Sequence, residues 1–379
     1  MSEVEGNLYL WTPPEISSSE KNVVNDIIDQ INAGSIVKIQ SEGVEALEYH
    51  WNYDSYKVRT KEDNQEFVMK ISFGDSASLS KEYDVLKKLA NTGAVPYAMA
   101  LHPVRFFSDD GIATLTKKID GVDLFNLGIH EMFSHDEAVE EFFMALGKIY
   151  ATDISSLKFI PRETTITSCV GNLRGTFGEE AAEKFNKIFN VKKFEDSFEE
   201  LRLELTAKAS QYNLDCIVNS DLNPFNIMGF GGDDINAPGV YINNWTGCFV
   251  GNPLYDFYNL IIENRLFSEK PRIEKIFFSM MKKMIPEVAK EMEELSIEYL
   301  NYFQVLQFWR YVEEYLSLSI ETLIGNNVSI RSMMLKQKIE SIRRGIFKIS
   351  PKFEKMFSEF CIICDKIGEQ KQKKEENDD

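Results

Sequence analysis

The chain has little of what would place it outside ordinary aqueous globular proteins. Cysteine is scarce: Cys169, Cys216, Cys248, Cys361 and Cys364 are five in 379 residues. An odd number at scattered spacings builds no disulfide framework. Cys361 and Cys364 form one C-x-x-C, without a second pair or a nearby histidine, inside a segment of helical periodicity. They are expected to be a core-facing helical pair rather than a metal or redox site. No run approaches 18 consecutive apolar residues, so no membrane span is expected. The start, MSEVEGNLYLWTPPE, lacks a basic stretch followed by an apolar one, so no signal peptide is expected and the location is read as cytoplasmic. Positive charge is also short: 42 Lys and Arg against 60 Asp and Glu give a net charge of −18. That argues against a nucleic-acid partner, whose phosphates must be neutralised by Lys and Arg. It does not argue against a nucleotide carried in with a cation. Internal repeats and low-complexity core segments are missing as well.

What is present is a chain long enough for one two-lobed unit or two domains, with 44% hydrophobic residues. Residues 18 to 33, SSEKNVVNDIIDQINA, have a Ser cap, early acids and apolar residues at helical spacing, with Gly34 as a stop. Short alternating runs follow: SIVKIQ, EALEYHW, DSYKVRTK and QEFVMKIS, with EDN as a hairpin turn between the last two. SLSKEYDVLKKLANTG reads as a capped amphipathic helix, and PVRFFSD and IATLTKKI as two more strands. From about residue 130 the pattern is mainly helical (SHDEAVEEFFMALGKIYATD, GEEAAEKFNKIFN, FEDSFEELRLELTAKASQYN, and much of 254–367). One strand pair around 216–245 interrupts it. The expected class is α+β and bilobal: a small antiparallel-sheet lobe with one helix, then a large mainly helical lobe. The expected divisions are an N-terminal extension with a helix (1–35), a small lobe (36–118), a large lobe (119–367) and a charged tail (368–379) whose composition suits disorder.

Two places carry chemistry. In QEFVMKIS, Lys70 lies inside an apolar strand, and Glu82 follows in the first turn of the next helix. A buried ammonium needs a partner or a ligand, and a Lys–Glu pair reaching nucleotide phosphates supplies both. The bland alternative is a lysine with its stem along the sheet and its head in solvent. In CIVNSDLNPFNIMGF, Asp221 and Asn226 stand five apart. That is the spacing of a phosphoryl-transfer loop, with one carboxylate to take the proton of the attacking hydroxyl and one amide oxygen for magnesium.

With these residues in place, the chain resembles the aminoglycoside phosphotransferase and choline kinase family, relatives of the protein kinases. That family carries a His-x-Asp-x-x-x-x-Asn loop, which here reads Asn219 to Asn226. It then has a strand ending Ile-Asp-Trp, a Gly-Asp-Pro turn and a Tyr-Asp pair opening a helix. Here these are Ile242-Asn243-Asn244-Trp245, Gly251-Asn252-Pro253 and Tyr255-Asp256. The resemblance takes in TGAVPYAMAL, the KKIDGVDL hinge and FMALGKIYATDIS, and spans roughly residues 36 to 265. It implies Asp221 as the catalytic carboxylate and Lys70, Glu82 and Ser55 as nucleotide-binding residues. It implies Asn226 and Asn244 as the magnesium ligands. Asp256 would instead brace the loop backbone, and Phe225 and Trp245 would be core or platform residues.

The departures are informative. The family's chief magnesium carboxylate falls on Asn244, the loop His on Asn219, and a helix His on Tyr150. The nucleotide loop falls on YHWNYDSYKV, which has no glycine and sets Trp51 and Tyr53 where they crowd the phosphates. A dication about 4 Å from a carboxylate gains roughly 8 kcal/mol at an effective dielectric near 20, less desolvation. An amide forgoes most of that while remaining a weaker oxygen ligand. Three readings fit: a pseudoenzyme, a slow enzyme recruiting Asp233 or Asp234, or a deliberate substitution, with natural divergence slightly favoured by Asn219, Asn252 and the bulky loop.

The resemblance implies an ATP- or GTP-dependent, magnesium-using kinase that transfers the γ-phosphoryl to a hydroxyl of an amino sugar, amino alcohol or sugar. The alternative is a pseudokinase serving as a nucleotide-binding or regulatory module. Glu287, Glu291, Glu293, Glu294, Glu298, Glu313 and Glu314 would steer a cationic acceptor, or simply form a solvated helix face. Trp309, Tyr311 and Tyr315 are candidates for an aromatic ammonium pocket, with a core role as the alternative. The sequence does not fix an oligomeric state.

Overall fold

A computed structural model describes residues 16–49, 53–73, 76–123, 128–157, 203, 216–229, 239–264, 266–297 and 300. These fall into two compact units. One holds the described residues from Ile16 to Asp123, a short piece from Thr152, and Asn226–Cys248. The other holds those from Gly128 to Ala151, from Cys216 to Phe225, and from Phe249 onward.

The first unit is built on a five-stranded antiparallel sheet of β1 (Glu45–Tyr49), β2 (Asp54–Arg59), β3 (Glu66–Ser72), β4 (Ala98–Phe106) and β5 (Asp109–Lys117), in spatial order β1-β2-β3-β5-β4. Alternation along the strands divides its faces. Tyr56, Val58, Phe67, Met69, Ile71, Ala113 and Leu115 enter one core with Val24, Ile27, Ile28 and Ile31 of α1 (Ser18–Gly34). Those four α1 positions lie at i, i+3, i+4 and i+7, the spacing of one helical stripe. Each contributes roughly 1.5–3 kcal/mol through burial, as an upper estimate. A capping box at Ser17 and Glu20 starts the helix, and Glu20 also accepts a bond from the Tyr56 hydroxyl. The opposite face carries Ser55, Lys70 and Thr114 in register across β2, β3 and β5. Helix α2 (Ser76–Leu89) packs there and leads into a short turn, Ala90–Thr92.

SIVKIQ, expected as a strand, joins the sheet only through an isolated bridge between Ile39 and Thr60. The Asn32 side chain takes the place of a neighbouring strand. Its amide donates to the Ile39 carbonyl and accepts from the Ile39 N–H. The β2–β3 turn falls where EDN predicts it, with Asn64 at φ 57°, a region that Asn tolerates. A second, three-stranded sheet in this unit orders β6 (Val122–Asp123), β8 (Ile227–Gly229) and β9 (Val240–Ile242) as β6-β8-β9.

In the second unit, β7 (Cys216–Val218) pairs antiparallel with β10 (Phe249–Gly251). Around them are α3 (Ile129–Met132), α4 (Asp136–Tyr150), α5 (Leu254–Glu263), α6 (Lys270–Met284) and a helical stretch over 286–297. Its core is aromatic. Phe143 lies edge-on to Phe142 and Phe277, and Phe277 stacks on Phe257 with ring centroids 4.5 Å apart. Gly147 lets α4 approach α6, because a Cβ there would lie 2.8 Å from Met284 Cγ. The helices expected over 178–190 and, residue 203 apart, 194–213, the C-x-x-C pair and the charged tail lie outside the described residues. Among the described residues, no helix is long and apolar enough to cross a membrane.

Candidate active site

In the first unit, Lys70 sits mid-strand on β3 and Glu82 in the second turn of α2, which packs over that face. Lys70 Nζ donates to both carboxylate oxygens of Glu82, each at 2.9 Å. The Glu82 side chain is only 4% exposed and that of Lys70 13%. Neither charge could be held there alone at tolerable cost. Glu82 Oε1 also accepts the backbone N–H of Trp245 at 2.9 Å, and Lys81 Nζ donates to the Cys248 carbonyl. One helical turn of α2 thus grips both the β3 lysine and the segment carrying Asn244. The face of the Tyr53 ring lies 4.6 Å from Lys70 Nζ. Ser55 is buried and is the cross-strand neighbour of Lys70.

Asn226 and Asn244 lie at the same end of the β8–β9 pair. That pairing begins at Ile227 and Ile242, and the Asn243 N–H donates to the Asn226 carbonyl at 2.8 Å. Asn244 has φ 55°, a left-handed conformation that Asn and Asp adopt more readily than other non-glycine residues. Its Oδ1 accepts a bond from Thr246 Oγ1 at 2.8 Å. Trp245 is fully buried, its indole N–H bonded to the Ile242 carbonyl.

In the second unit, the loop 219–225 is shaped by amides. Asn219 Oδ1 accepts from the Asp221 N–H, and Asn223 Oδ1 accepts from the Phe225 N–H. Asn252 does the same for Leu254 at the start of α5. These are Asx turns, which need a side-chain oxygen and no charge. Asn219 and Asn252 therefore meet the local backbone's needs as well as a carboxylate would. Asn223 Nδ2 also donates to Asp221 Oδ1 at 2.9 Å. Beneath the loop Asp256 is fully buried and accepts from the Asn219 N–H, the Ser220 N–H and the Tyr150 hydroxyl, at 2.9, 2.9 and 3.0 Å. Burial pushes its carboxyl up to about 6, against the pull of those donors, and Asp221 adds to the rise. Relative to its ordinary value that is a cost of about 3 kcal/mol for keeping the charge at neutral pH. Burial, then the neighbouring Asp256, pushes the Tyr150 phenol well up. Ser220 carries φ 73°. Of four non-glycine residues at positive φ among those described, two are Ser220, next to Asp221, and the candidate ligand Asn244 itself. Backbone strain of this kind clusters at functional sites.

Several contributors escaped the sequence reading. Asn223, which orients the Asp221 carboxylate, was legible only as the Asn-x-Phe of an Asx turn. Asn259 and Asn264 donate to the carbonyls of Ser220 and Leu222. Their signal is an amide in the otherwise apolar run LYDFYNLIIEN. Phe225, expected as core or platform, is exposed instead. Its backbone N–H donates to Asn223 Oδ1. Glu287, Glu293 and Glu294 are exposed on a helical stretch that buries Ala289, Met292 and Leu295, and Glu293 pairs with Lys282. Trp51, Asp233, Asp234, Glu298, Trp309, Tyr311, Glu313, Glu314 and Tyr315 lie outside the described residues.

Among the described residues, no group of three His, Cys, Asp or Glu is placed to hold a metal ion. The donors at the expected position are the amide oxygens of Asn226 and Asn244, hard but uncharged. Such a pair suits a magnesium ion that arrives already bound to phosphate oxygens, which supply the missing negative charge.

No family model matches the sequence, and no curated protein matches it. Solved structures do match. A spectinomycin phosphotransferase in complex with ADP and spectinomycin is 14% identical, with a TM-score of 0.51 over 88% of this chain and 98% of that one. A thermostable aminoglycoside phosphotransferase mutant, in a ternary complex with AMP-PNP and hygromycin B, is 13% identical, with a TM-score of 0.53 over 86% and 98%. An ethanolamine kinase from Plasmodium vivax is 10% identical, with a TM-score of 0.55 over 90% and 91%. With its antiparallel sheet and helix followed by a mainly helical part, this chain has the protein-kinase-like fold of the aminoglycoside phosphotransferases and choline and ethanolamine kinases.

Proposed function

We propose that the protein is a small-molecule kinase that moves the γ-phosphoryl of ATP or GTP to a hydroxyl of an amino sugar, amino alcohol or sugar. The carrying observation is the buried Lys70–Glu82 pair, whose glutamate also holds the backbone next to Asn244. A lysine kept charged and anchored on an internal strand is suited to meeting phosphate oxygens. Asp221, with its carboxylate oriented by Asn223, accepts the proton of the acceptor hydroxyl. That oxygen then bonds to the γ-phosphorus as the bond to the leaving diphosphate breaks. Asn226 and Asn244 would hold magnesium, which supplies charge neutralisation on the phosphates when bound. Two of the structures similar in fold contain ADP with spectinomycin and AMP-PNP with hygromycin B, which supports the choice of donor and acceptor classes.

The second reading, a pseudokinase acting as a nucleotide-binding or regulatory module, is favoured by the amide at Asn244 and by Tyr53 lying over Lys70. One experiment separates them. Thermal shift with ATP and GTP, with and without magnesium, is followed by a screen for nucleotide consumption over amino sugars, choline-like amines and free sugars. Magnesium-dependent stabilisation with turnover supports the kinase. Metal-indifferent binding without turnover supports the module, and no nucleotide response at all rejects both.

A further inference from the structure

We propose that Tyr53 is a built-in cover on Lys70, so that the structure described here is a closed form and nucleotide binding requires the tyrosine ring to leave. The proposal rests on reading Lys70 as the phosphate-binding cation.

Tyr53 stands just before β2, two positions ahead of Ser55, and Ser55 is the cross-strand neighbour of Lys70. The short connection from β1 thus delivers an aromatic side chain to the face of the sheet that carries the lysine. The ring is itself buried, with 5% exposure, and its face lies 4.6 Å from Nζ. The face of an aromatic ring is the negative end of its quadrupole, so it offers the ammonium what an anionic ligand would. Glu82 engages Nζ through both carboxylate oxygens. With the carboxylate and the ring both in contact, the lysine side chain is 13% exposed. A phosphate oxygen in charge-assisted contact with Nζ needs ammonium surface that the ring now shields. The two contacts therefore compete. Apparent nucleotide affinity is lowered by the fraction of molecules in which the ring has withdrawn.

The test uses the full chain and three variants at one residue. Tyr53→Phe keeps the ring and is expected to match the wild type. Tyr53→Leu keeps the bulk without the π face, and Tyr53→Ala removes both. Affinity for magnesium ADP, read by calorimetry, is expected to rise about tenfold or more in Tyr53→Ala and in the same direction in Tyr53→Leu. The gain is expected to vanish when Lys70→Met is added. A second readout needs no nucleotide: labelling of Lys70 by pyridoxal phosphate with borohydride, mapped by mass spectrometry, is expected to speed up in Tyr53→Ala and Tyr53→Leu. Unchanged labelling together with unchanged or weaker nucleotide affinity in both variants overturns the cover. Faster labelling while no variant binds any nucleotide leaves the cover standing and rejects the nucleotide reading of the site instead.

Discussion

Replacing Lys70 by Met removes one ammonium and keeps most of the side-chain volume, which makes the Lys70–Glu82 pair a measurable quantity. The wild-type contact consists of two charge-assisted bonds of 2.9 Å. Such bonds contribute about 1.5–3 kcal/mol each, so about 3–6 kcal/mol is at stake. Breaking one side of a buried pair has a typical cost of about 3–5 kcal/mol, because the other charge stays buried. Lys70→Met leaves Glu82, 4% exposed, with the Trp245 N–H as a remaining donor, so a loss of about 3 kcal/mol is expected. Glu82→Gln leaves the ammonium facing a neutral amide that must also serve Trp245, with a similar loss. The double variant buries no charge and keeps the bond to Trp245. It is expected within about 1 kcal/mol of the wild type, so single losses of about 3 kcal/mol each give a coupling of about 5 kcal/mol, beyond the roughly 0.5–3 kcal/mol that most such cycles report. Urea unfolding followed through Trp245, with Trp11, Trp51 and Trp309 replaced by Phe, reads the unit that carries the pair. The exposed Arg105–Asp110 bridge serves as a control, expected to show little or no coupling. Single-variant losses below 1 kcal/mol, or a double variant as unstable as the sum of its parts, would refute the account of the pair as a buried, mutually dependent unit.

Three further outcomes are expected. The Asp256 carboxyl is raised in the fold to about 6 from an ordinary 3.8. Its stabilising contribution is therefore full at low pH and is lost as pH rises through about 6. Acidifying from pH 7 to pH 5 should add about 1 kcal/mol through this group, and an unfolding series in Asp256→Asn should lack that increment. Gly147→Ala forces a methyl against Met284 and should destabilise by about 1–3 kcal/mol, against the gain of about 1 kcal/mol that alanine brings to an unconstrained helix site; a raised melting temperature would contradict the close helix approach. Asn244→Asp restores a charged oxygen at the candidate metal position, and magnesium-dependent nucleotide turnover should rise; unchanged turnover and unchanged magnesium dependence would count against Asn244 as a ligand.

The sheet and its helices were legible because their periodicities differ sharply: FVMKIS alternates while VVNDIIDQI recurs at three and four. What the pattern could not carry was the work of single side chains. SIVKIQ has the alternation of a strand, yet an amide from α1 satisfies the backbone of Ile39, and no local signal distinguishes the two solutions. The Lys70–Glu82 pairing followed from the cost of an isolated buried charge, a physical argument that composition alone does not supply. The bracing of the 219–225 loop by Asn259 and Asn264 was invisible because each amide reaches a backbone carbonyl 39 or 42 residues away along the chain. Phe225 shows the reverse error. A large apolar residue invites a core assignment, but Phe225 stands exposed in an Asx turn that Asn223 closes on its backbone N–H.

Helix α1 buries its whole apolar stripe on one face of the five-stranded sheet, so the strands cannot be excised as a free-standing lobe. A fragment opening at Glu45 would bare Tyr56, Val58, Phe67, Met69 and Leu115 together as one contiguous greasy plate, the kind of surface through which chains precipitate. Any expression boundary for this protein therefore belongs ahead of Ser17, and a tag there must leave the serine cap intact.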